Sequence, residues 1–344
     1  MSLTFEKNKD LSGLNSLRLS AQAEYFCEVQ SVADWQEALA WAKSADLPVT
    51  ILGGGSNVVL APRIEGLVLH PSNAELELEQ EDTESVFVRV GAGHDWDRFV
   101  RACVDRAWFG LENLVSIPGS CGAAPVQNIG AYGVDLADWV HTVSCIDLNT
   151  GGVFERSAAD CEFGYRSSRF KTKDAGRLGI WAVTFKLSKK PKVNLSYAAL
   201  KEALDVAGVD CTPINVLKQV ETIRAQKLPD PSVTPNAGSF FKNPVLSTSE
   251  LAVLQSLLPH IPVYPFAEGR VKVSAAYLIE QAGLKGFSEA GFAMSEKHSL
   301  VLINSGASSG QACLHFASRV AERVRDRFGV LLEREPIALG TLAS

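Results

Sequence analysis

Apolar residues recur along the chain in two rhythms, one near helical spacing and one of short, nearly continuous runs. Val32, Trp35, Leu39 and Ala42 fall near helical spacing behind Ser31 as cap, and this first region reads strand, helix, strand. Val49-Thr-Ile-Leu52 reads as a buried strand entering Gly53-Gly-Gly-Ser-Asn57, and strands resume at Val58-Val-Leu60 and Gly66-Leu-Val-Leu-His70. The β-rich stretch continues through 85–91, and Phe99, Val100, Cys103 and Val104 predict one face of a helix over 95–107. Strands at 143–147 and 180–187 precede helices over 197–207 and 213–223, the second with Thr212 as cap and Pro213 in its first position. Lys227-Leu-Pro-Asp-Pro-Ser232 breaks that helix and reads as an interdomain connection. Beyond it the spacing predicts helices over 249–258, 275–281 and 310–328, around a strand at 298–304. Ser247-Thr-Ser-Glu250 forms a capping box, Gly283 is a helix stop, and 330–340 alternates weakly, as a strand returning to the first domain would. The class is mixed α and β.

Composition narrows the function classes. The 344 residues suggest two or three domains, and an apolar share of 46 % with 21 % charged residues fits a globular chain. Thirty-three basic against 39 acidic residues give a net charge of −6, so a general nucleic-acid binder is not expected. The first ten residues carry no apolar signal-peptide core, and the charge-free run Asn113–Val134 is too rich in glycine and proline to span a membrane. Seven scattered cysteines without a Cys-x-x-Cys pair read as thiols in a reducing cytoplasm, with no metal site.

Two glycine-rich segments ask for a ligand. In Gly53-Gly-Gly-Ser-Asn57 the missing side chains let backbone N–H groups converge on an anion. The exit is strand-like, so the segment is neither a dinucleotide fingerprint nor a P-loop, and a tight β turn is the bland alternative. Ile117-Pro-Gly-Ser-Cys-Gly-Ala-Ala-Pro-Val-Gln-Asn-Ile-Gly-Ala-Tyr-Gly133 is too small and apolar for a solvated linker. A large flat ligand against backbone would explain it, with Gln127, Asn128 and Tyr132 supplying polar contacts. A buried structural crossover is the alternative.

Together these segments resemble the FAD-binding domain of the vanillyl-alcohol-oxidase type. The longer one, with Phe163-Gly-Tyr-Arg-Ser167, Lys227-Leu-Pro-Asp-Pro231, Asn236-Ala-Gly-Ser-Phe-Phe-Lys-Asn-Pro244, Ala276-Tyr-Leu-Ile-Glu-Gln281 and Leu284-Lys-Gly286, resembles the UDP-N-acetylenolpyruvoylglucosamine reductase (MurB) family. The segments keep the family's order over almost the whole chain. Tyr197 in Leu195-Ser-Tyr-Ala-Ala-Leu200 resembles the substrate-loop tyrosine of the family's longer subtype.

The resemblance implies a hydride relay in which NADPH reduces FAD and the enolpyruvyl ether of UDP-N-acetylglucosamine is then reduced to UDP-N-acetylmuramate. It implies noncovalent FAD held by Gly53, Gly54, Gly55, Ser56, Asn57, Pro118, Gly119, Gly122, Ala123, Gln127, Asn128, Gly130, Ala131 and Tyr132. It makes Arg166, Ser239 and Glu335 catalytic: Arg166 polarises the enolpyruvyl carboxylate, Ser239 donates a proton, and Glu335 is a second polarising or acid group. Residue types suit these roles, since a guanidinium stays charged and an enolate carbon is basic enough to take a proton from a hydroxyl. Left open are a surface location for Arg166, a turn role for Ser239, and the choice between Glu333 and Glu335, which share a face of any strand. Tyr132, Tyr165, Tyr197, Lys227, Asn243 and Lys285 are expected at the substrate, whereas His298 departs from the amide or acidic side chain expected there.

The expected architecture is α+β. Residues 1–75 with 329–344, then 76–228, make a two-part FAD-binding domain, and 229–328 form a C-terminal α/β substrate domain. The expected enzyme is a cytoplasmic monomer acting on small molecules, with no nucleic-acid or membrane partner. An alcohol oxidase of the same flavin superfamily is the nearest rival, and a non-catalytic nucleotide-sugar binder is a rival of another class.

Overall fold

A computed structural model describes residues 3–267 and 269–342. Residues 1, 2, 343 and 344 of the first expected subdomain, and Glu268 of the substrate domain, lie outside the described residues. The described chain is α+β and divides into two compact units. The first holds the chain through Lys9, then Ala23–Gly55 and Glu65–Ala225; the second holds Asp10–Gln22, Ser56–Ile64 and the chain from Gln226.

In the first unit, Glu6–Asp10, Gln22–Val29, Arg63–Pro71 and Val49–Ile51 form a sheet in that order, with Val49–Ile51 parallel to its neighbour. Helix Val32–Ser44 follows the reciprocal capping box of Ser31 and Asp34 and buries Trp35, Ala38, Leu39 and Ala42. A five-stranded antiparallel sheet follows the order Val153–Ser157, Val140–Asp147, Leu178–Ser188, Ser85–Gly91 and Leu76–Glu81. Helix Trp96–Asp105 turns Trp96, Phe99, Val100, Cys103 and Val104 into its core, and each large apolar side chain buried there contributes about 1.5–3 kcal/mol. Two further helices, Ala198–Ala207 and Pro213–Lys227, complete the unit up to Ala225. The second of these runs four residues past the predicted end, to Lys227. Arg224, Ala225, Gln226 and Lys227 are good helix formers, and Pro229 restricts only the residue before it.

In the second unit, Asn236–Ser239, Val301–Asn304, Phe292–Met294 and Ser288–Glu289 form an antiparallel sheet, and Val245–Ser247, Arg270–Val273 and Val263–Pro265 a smaller one. Helices Thr248–Leu257, Ala275–Gln281 and Gly310–Phe328 pack on these. The predicted strand 298–304 begins only at Val301, because a tight turn in which the Val301 amide donates to the His298 carbonyl (2.9 Å) occupies its first residues. The weak alternation after residue 330 resolves into Ile337–Leu339, which runs parallel to Val58–Leu60. Compactness thus gathers Val58–Leu60 and the C-terminal strand with the helices of the second unit, and leaves residues on both sides of position 75 in the first. Within that first unit, two separate clusters of buried side chains lie around Trp35 and around Phe99.

Candidate active site

The two glycine-rich segments meet inside the first unit. A Cβ on Gly54 would lie 2.9 Å from the Gly119 Cα, and one on Gly53 would lie 2.8 Å from the Ser120 Oγ, so backbone packs on backbone here. Gly55 has φ +62, and among the described residues the amides of Gly53, Gly54 and Gly55 make no hydrogen bond. Unpaired N–H groups in a cradle that any side chain would fill fit the phosphates of a dinucleotide such as FAD. Ser56 and Asn57 fall in the second unit, where the Ser56 carbonyl accepts from the Ser16 hydroxyl (3.2 Å) and the Asn57 carbonyl from the Ile337 amide (3.1 Å).

The longer segment is fixed at several points. Pro118 leads into Gly119 (φ +130), whose carbonyl accepts from the Trp96 amide (3.0 Å). The Gly122 amide donates to Ala92 (2.9 Å), the Ala123 amide closes back on Ser120 (3.0 Å), and Ala124–Gln127 form a short helical turn. Asn128 ends that turn in the left-handed region (φ 47). Its side chain donates to the Gly164 carbonyl (3.1 Å) and accepts from the Ala137 amide (2.9 Å), so this amide shapes the loop. Gly130–Ala131 pairs with Val134–Asp135 across Tyr132 (φ 49) and Gly133 (φ 84), the positive-φ pair of a tight hairpin turn.

Arg166 lies beside this segment, which decides against a surface location. Gly164 and Ser167 exchange backbone hydrogen bonds (3.0 and 3.2 Å) around Tyr165 and Arg166, and Arg166 has φ 52, a position normally given to glycine. Its guanidinium repays that strain: it donates to the Gly130 and Asn128 carbonyls, lies 3.8 Å from Asp135, and sits 5.3 Å from the Tyr165 ring centroid. The following residues are not a solvated loop, since Ser168 and Phe170 are buried and the Ser168 hydroxyl donates to the Val126 carbonyl (2.6 Å). Strain held by surrounding bonds is common at reactive sites.

Tyr132 and Tyr197 meet edge to face, with centroids 5.2 Å apart. Asn113, absent from the expected site, donates to the Tyr132 carbonyl (2.9 Å) and the Asn194 carbonyl (3.0 Å), while the Asn194 side chain donates to Gly133 (3.0 Å). Arg224, also absent, is half-buried, and its Nε donates to the Ser116 carbonyl (3.2 Å). Burial pushes the Tyr132 phenol above its ordinary pKa, and works against the charge of Arg224, which Tyr132 and Asp97 support. No periodicity signals these residues, because their roles arise from contacts distant in sequence.

In the second unit the backbone of Glu335 pairs with the residue after Ser239. Asn236–Ser239 pairs with Val301–Asn304 through a shifted register in which Gly238 takes φ +67, and such an irregularity re-aims the residue beside it. The Glu335 amide donates to the carbonyl of Phe240 (2.9 Å), next to Ser239, and Phe241 bridges to Arg334. The same segment also pairs with Glu333, whose carbonyl accepts from the Lys242 amide (2.9 Å), and the two candidate glutamates differ in exposure. Glu333 is exposed and ion-paired to Lys242 (3.0 Å), whereas Glu335 is half-buried. Lys285 pairs with Glu280 (3.2 Å), and the Asn243 Oδ1 accepts from the Ala275 amide (3.0 Å) at the start of a helix. Burial first, then Lys227 and Lys285, lower the His298 pKa against an opposing pull from Glu280, which places both lysines in that histidine's neighbourhood.

Comparison with known proteins agrees in both units. Residues 23–157 match a family described as FAD binding domain, and residues 230–339 match UDP-N-acetylenolpyruvoylglucosamine reductase, C-terminal domain. The chain is 42 % identical over 341 residues to the UDP-N-acetylenolpyruvoylglucosamine reductase of Chromobacterium violaceum, covering 98 % of this chain and 100 % of that protein. It is 41 % identical over 337 residues to that of Pseudomonas syringae pv. syringae, covering 98 % and 99 %. The crystal structure of UDP-N-acetylenolpyruvylglucosamine reductase from Thermus caldophilus shares the fold, with a TM-score of 0.70 at 21 % identity over 98 % of this chain and 100 % of that one.

Proposed function

The chain belongs to the UDP-N-acetylenolpyruvoylglucosamine reductase family, and we propose that it performs that family's reaction with Arg166, Ser239 and Glu335 as its reactive side chains. It is a flavin-dependent oxidoreductase that reduces UDP-N-acetylglucosamine enolpyruvate to UDP-N-acetylmuramate, a peptidoglycan precursor, with NADPH as reductant. FAD held by the two glycine-rich segments would supply the hydride chemistry that links NADPH to the terminal methylene carbon of the substrate.

The observation that carries the residue assignment is Arg166, held in a glycine-type turn position and tied by its side chain to the glycine-rich segment. A guanidinium there pairs with the enolpyruvyl carboxylate and spreads the negative charge that develops on the adjacent carbon. Ser239 gives its hydroxyl proton to that carbon. Glu335, beside it through the Phe240 backbone, orients the hydroxyl or polarises the developing acid. Lys227 and Lys285 offset the diphosphate charge, with Asn243 at the sugar or uridine. Tyr197 covers the diphosphate, and Tyr132 and Tyr165 line the gap between flavin and substrate. The bare amides of the first glycine-rich segment, with the backbone of 118–132, hold FAD without a covalent bond.

No helix among the described residues is long and apolar enough to cross a membrane. Seven free cysteines, six of them buried, suit a reducing compartment, and we read the enzyme as a cytoplasmic monomer. We also keep the division into two FAD-binding parts and a substrate part, which the two separate apolar clusters of the first unit favour. The test is anaerobic rapid mixing of the yellow protein. NADPH should bleach the flavin, and UDP-N-acetylglucosamine enolpyruvate should restore the colour with formation of UDP-N-acetylmuramate. A flavin that NADPH leaves oxidised, or that only oxygen reoxidises, would overturn the reading.

A further inference from the structure

Asn113 is buried and takes no part in the proposed reaction, yet it stands where two segments meet. Its short helical turn, Glu112–Leu114, is anchored on both sides. The Gly110 amide donates to the Glu112 carboxylate (2.7 Å), and the Trp96 indole donates to the Leu114 carbonyl (2.9 Å). From this platform the Asn113 side chain donates to the Tyr132 carbonyl (2.9 Å) and to the Asn194 carbonyl (3.0 Å). Its Oδ1 is buried with no hydrogen-bond partner among the described residues. Turned over, the amide would set that oxygen against two carbonyl oxygens, so only this orientation serves both. Leaving a buried oxygen unpaired is costly, and the return is two carbonyls held by one side chain.

The two segments depend on Asn113 unequally. The Tyr132 turn closes its own hairpin, with Gly130–Ala131 paired to Val134–Asp135 and the Leu136 amide donating to the Ile129 carbonyl (2.9 Å). The Asn194 segment belongs to no strand or helix. Its own ties are few: the Asn194 side chain donates to the Gly133 carbonyl (3.0 Å) and accepts from the Ser196 amide (2.9 Å). Val193, Leu195 and Tyr197 are only partly buried against the core. The segment nevertheless lies tight on the turn, since a Cβ on Gly133 would fall 2.2 Å from the Ser196 Oγ. Three residues past Asn194, the Tyr197 ring meets Tyr132 edge to face.

We propose that Asn113 is a positioning residue that latches segment 193–197 to the Tyr132 turn and thereby fixes Tyr197 over the substrate diphosphate. This assignment rests on the proposed role of Tyr197 and names what holds that tyrosine in place. Asn113 acts through Tyr197, by sparing the substrate the cost of ordering the segment.

The test is limited trypsin digestion of the FAD-loaded enzyme, with the cut after the exposed Lys192 followed by mass spectrometry, together with steady-state kinetics. Asn113→Asp keeps the shape of the side chain but can only accept, whereas Asn113→Leu loses the donors and changes the shape. Each should speed the Lys192 cut about tenfold, the worth of one hydrogen bond in the population of the open segment. Asp should be at least as severe as Leu, because its carboxylate faces two carbonyl oxygens. Tryptic cuts elsewhere should stay within about twofold of wild type, as local opening requires. The KM for the enolpyruvyl sugar should rise about tenfold, by more than kcat falls. Asn194→Ala removes the ties to Gly133 and Ser196 but keeps the Asn194 carbonyl, and it should shift both readouts about threefold. That variant carries the test if the Asn113 variants do not fold. Acceleration of all cuts together, a milder effect of Asp than of Leu, or a KM that does not follow the Lys192 cut would overturn the latch. A wild-type enzyme that does not turn over the enolpyruvyl sugar would instead sink the proposed function, while the Lys192 cut would still report on the latch.

Discussion

Arg166 and Ser239 are held in opposite ways. Arg166 sits in an irregular loop, in a left-handed conformation that costs about 1–2 kcal/mol, and its own side chain ties it to Asn128 and Gly130. Ser239 sits at the end of a strand whose backbone register, with Val301 on one side and the Phe240–Glu335 bond next to it, aims it without help from its hydroxyl. Changing the arginine should therefore disturb both chemistry and local structure. Changing the serine should disturb chemistry alone.

The largest effect expected is for Ser239→Ala. Rapid mixing should show flavin reduction by NADPH near wild type and reoxidation by the enolpyruvyl sugar slowed by roughly 10²–10⁴, the contribution of a positioned acid. Reoxidation within about threefold of wild type would remove Ser239 as the acid. Arg166→Lys comes next. Turnover should fall by about 10²–10³, as on losing a preorganised electrostatic contact, and thermal melting should drop as well, because lysine cannot bond two carbonyls in the same plane. Unchanged melting would show that the loop does not depend on the guanidinium, and the contrast with Ser239 would fail.

Glu335→Gln and Glu333→Gln sharpen the same comparison within one strand segment. The first should slow turnover by about 10², whereas the second loses only an exposed pair with Lys242, worth roughly 0.2–1 kcal/mol, and should leave kcat alone. Equal effects in steady-state assays would mean that the register does not separate them. The smallest effect concerns His298. Its pKa is lowered by burial and by Lys227 and Lys285, so the unfolded chain binds a proton that the folded one refuses. Stability should be lost as pH falls below the unfolded value of about 6.5, and His298→Gln should flatten that part of the melting curve. A parallel curve for the variant would remove the histidine from the acid response.

These differences also explain what was legible in the sequence. Capping signals at Ser31 and Ser247 and the apolar faces of helices such as Trp96–Asp105 are local, and they gave elements close to those observed. Polar strands such as Val153–Ser157, largely exposed, carry no apolar rhythm and went unread. At the site, Ser239 and Arg166 were found through segments that resemble a family, not through spacing. Arg224 and Asn113 were missed because their partners lie far along the chain, and for the same reason the bonds of the Asn128 side chain to Gly164 and Ala137 went unread. Parity could not choose between Glu333 and Glu335, since both backbones pair with residues 240–242 and only exposure and the ion pair to Lys242 distinguish them.

The parallel pairing of Ile337–Leu339 with Val58–Leu60 sets the order in which a growing polypeptide can become an enzyme. A ribosome adding roughly 5–20 residues per second makes Val59 about 15–60 s before its partner Ala338. Through that interval Val58–Leu60 must wait as an unpaired edge, and the rest of the first unit, including the 118–132 segment, is synthesised within its first two thirds. The nascent chain thus carries both glycine-rich segments well before the carboxylate of Glu335 and the strand that pairs with Val58–Leu60.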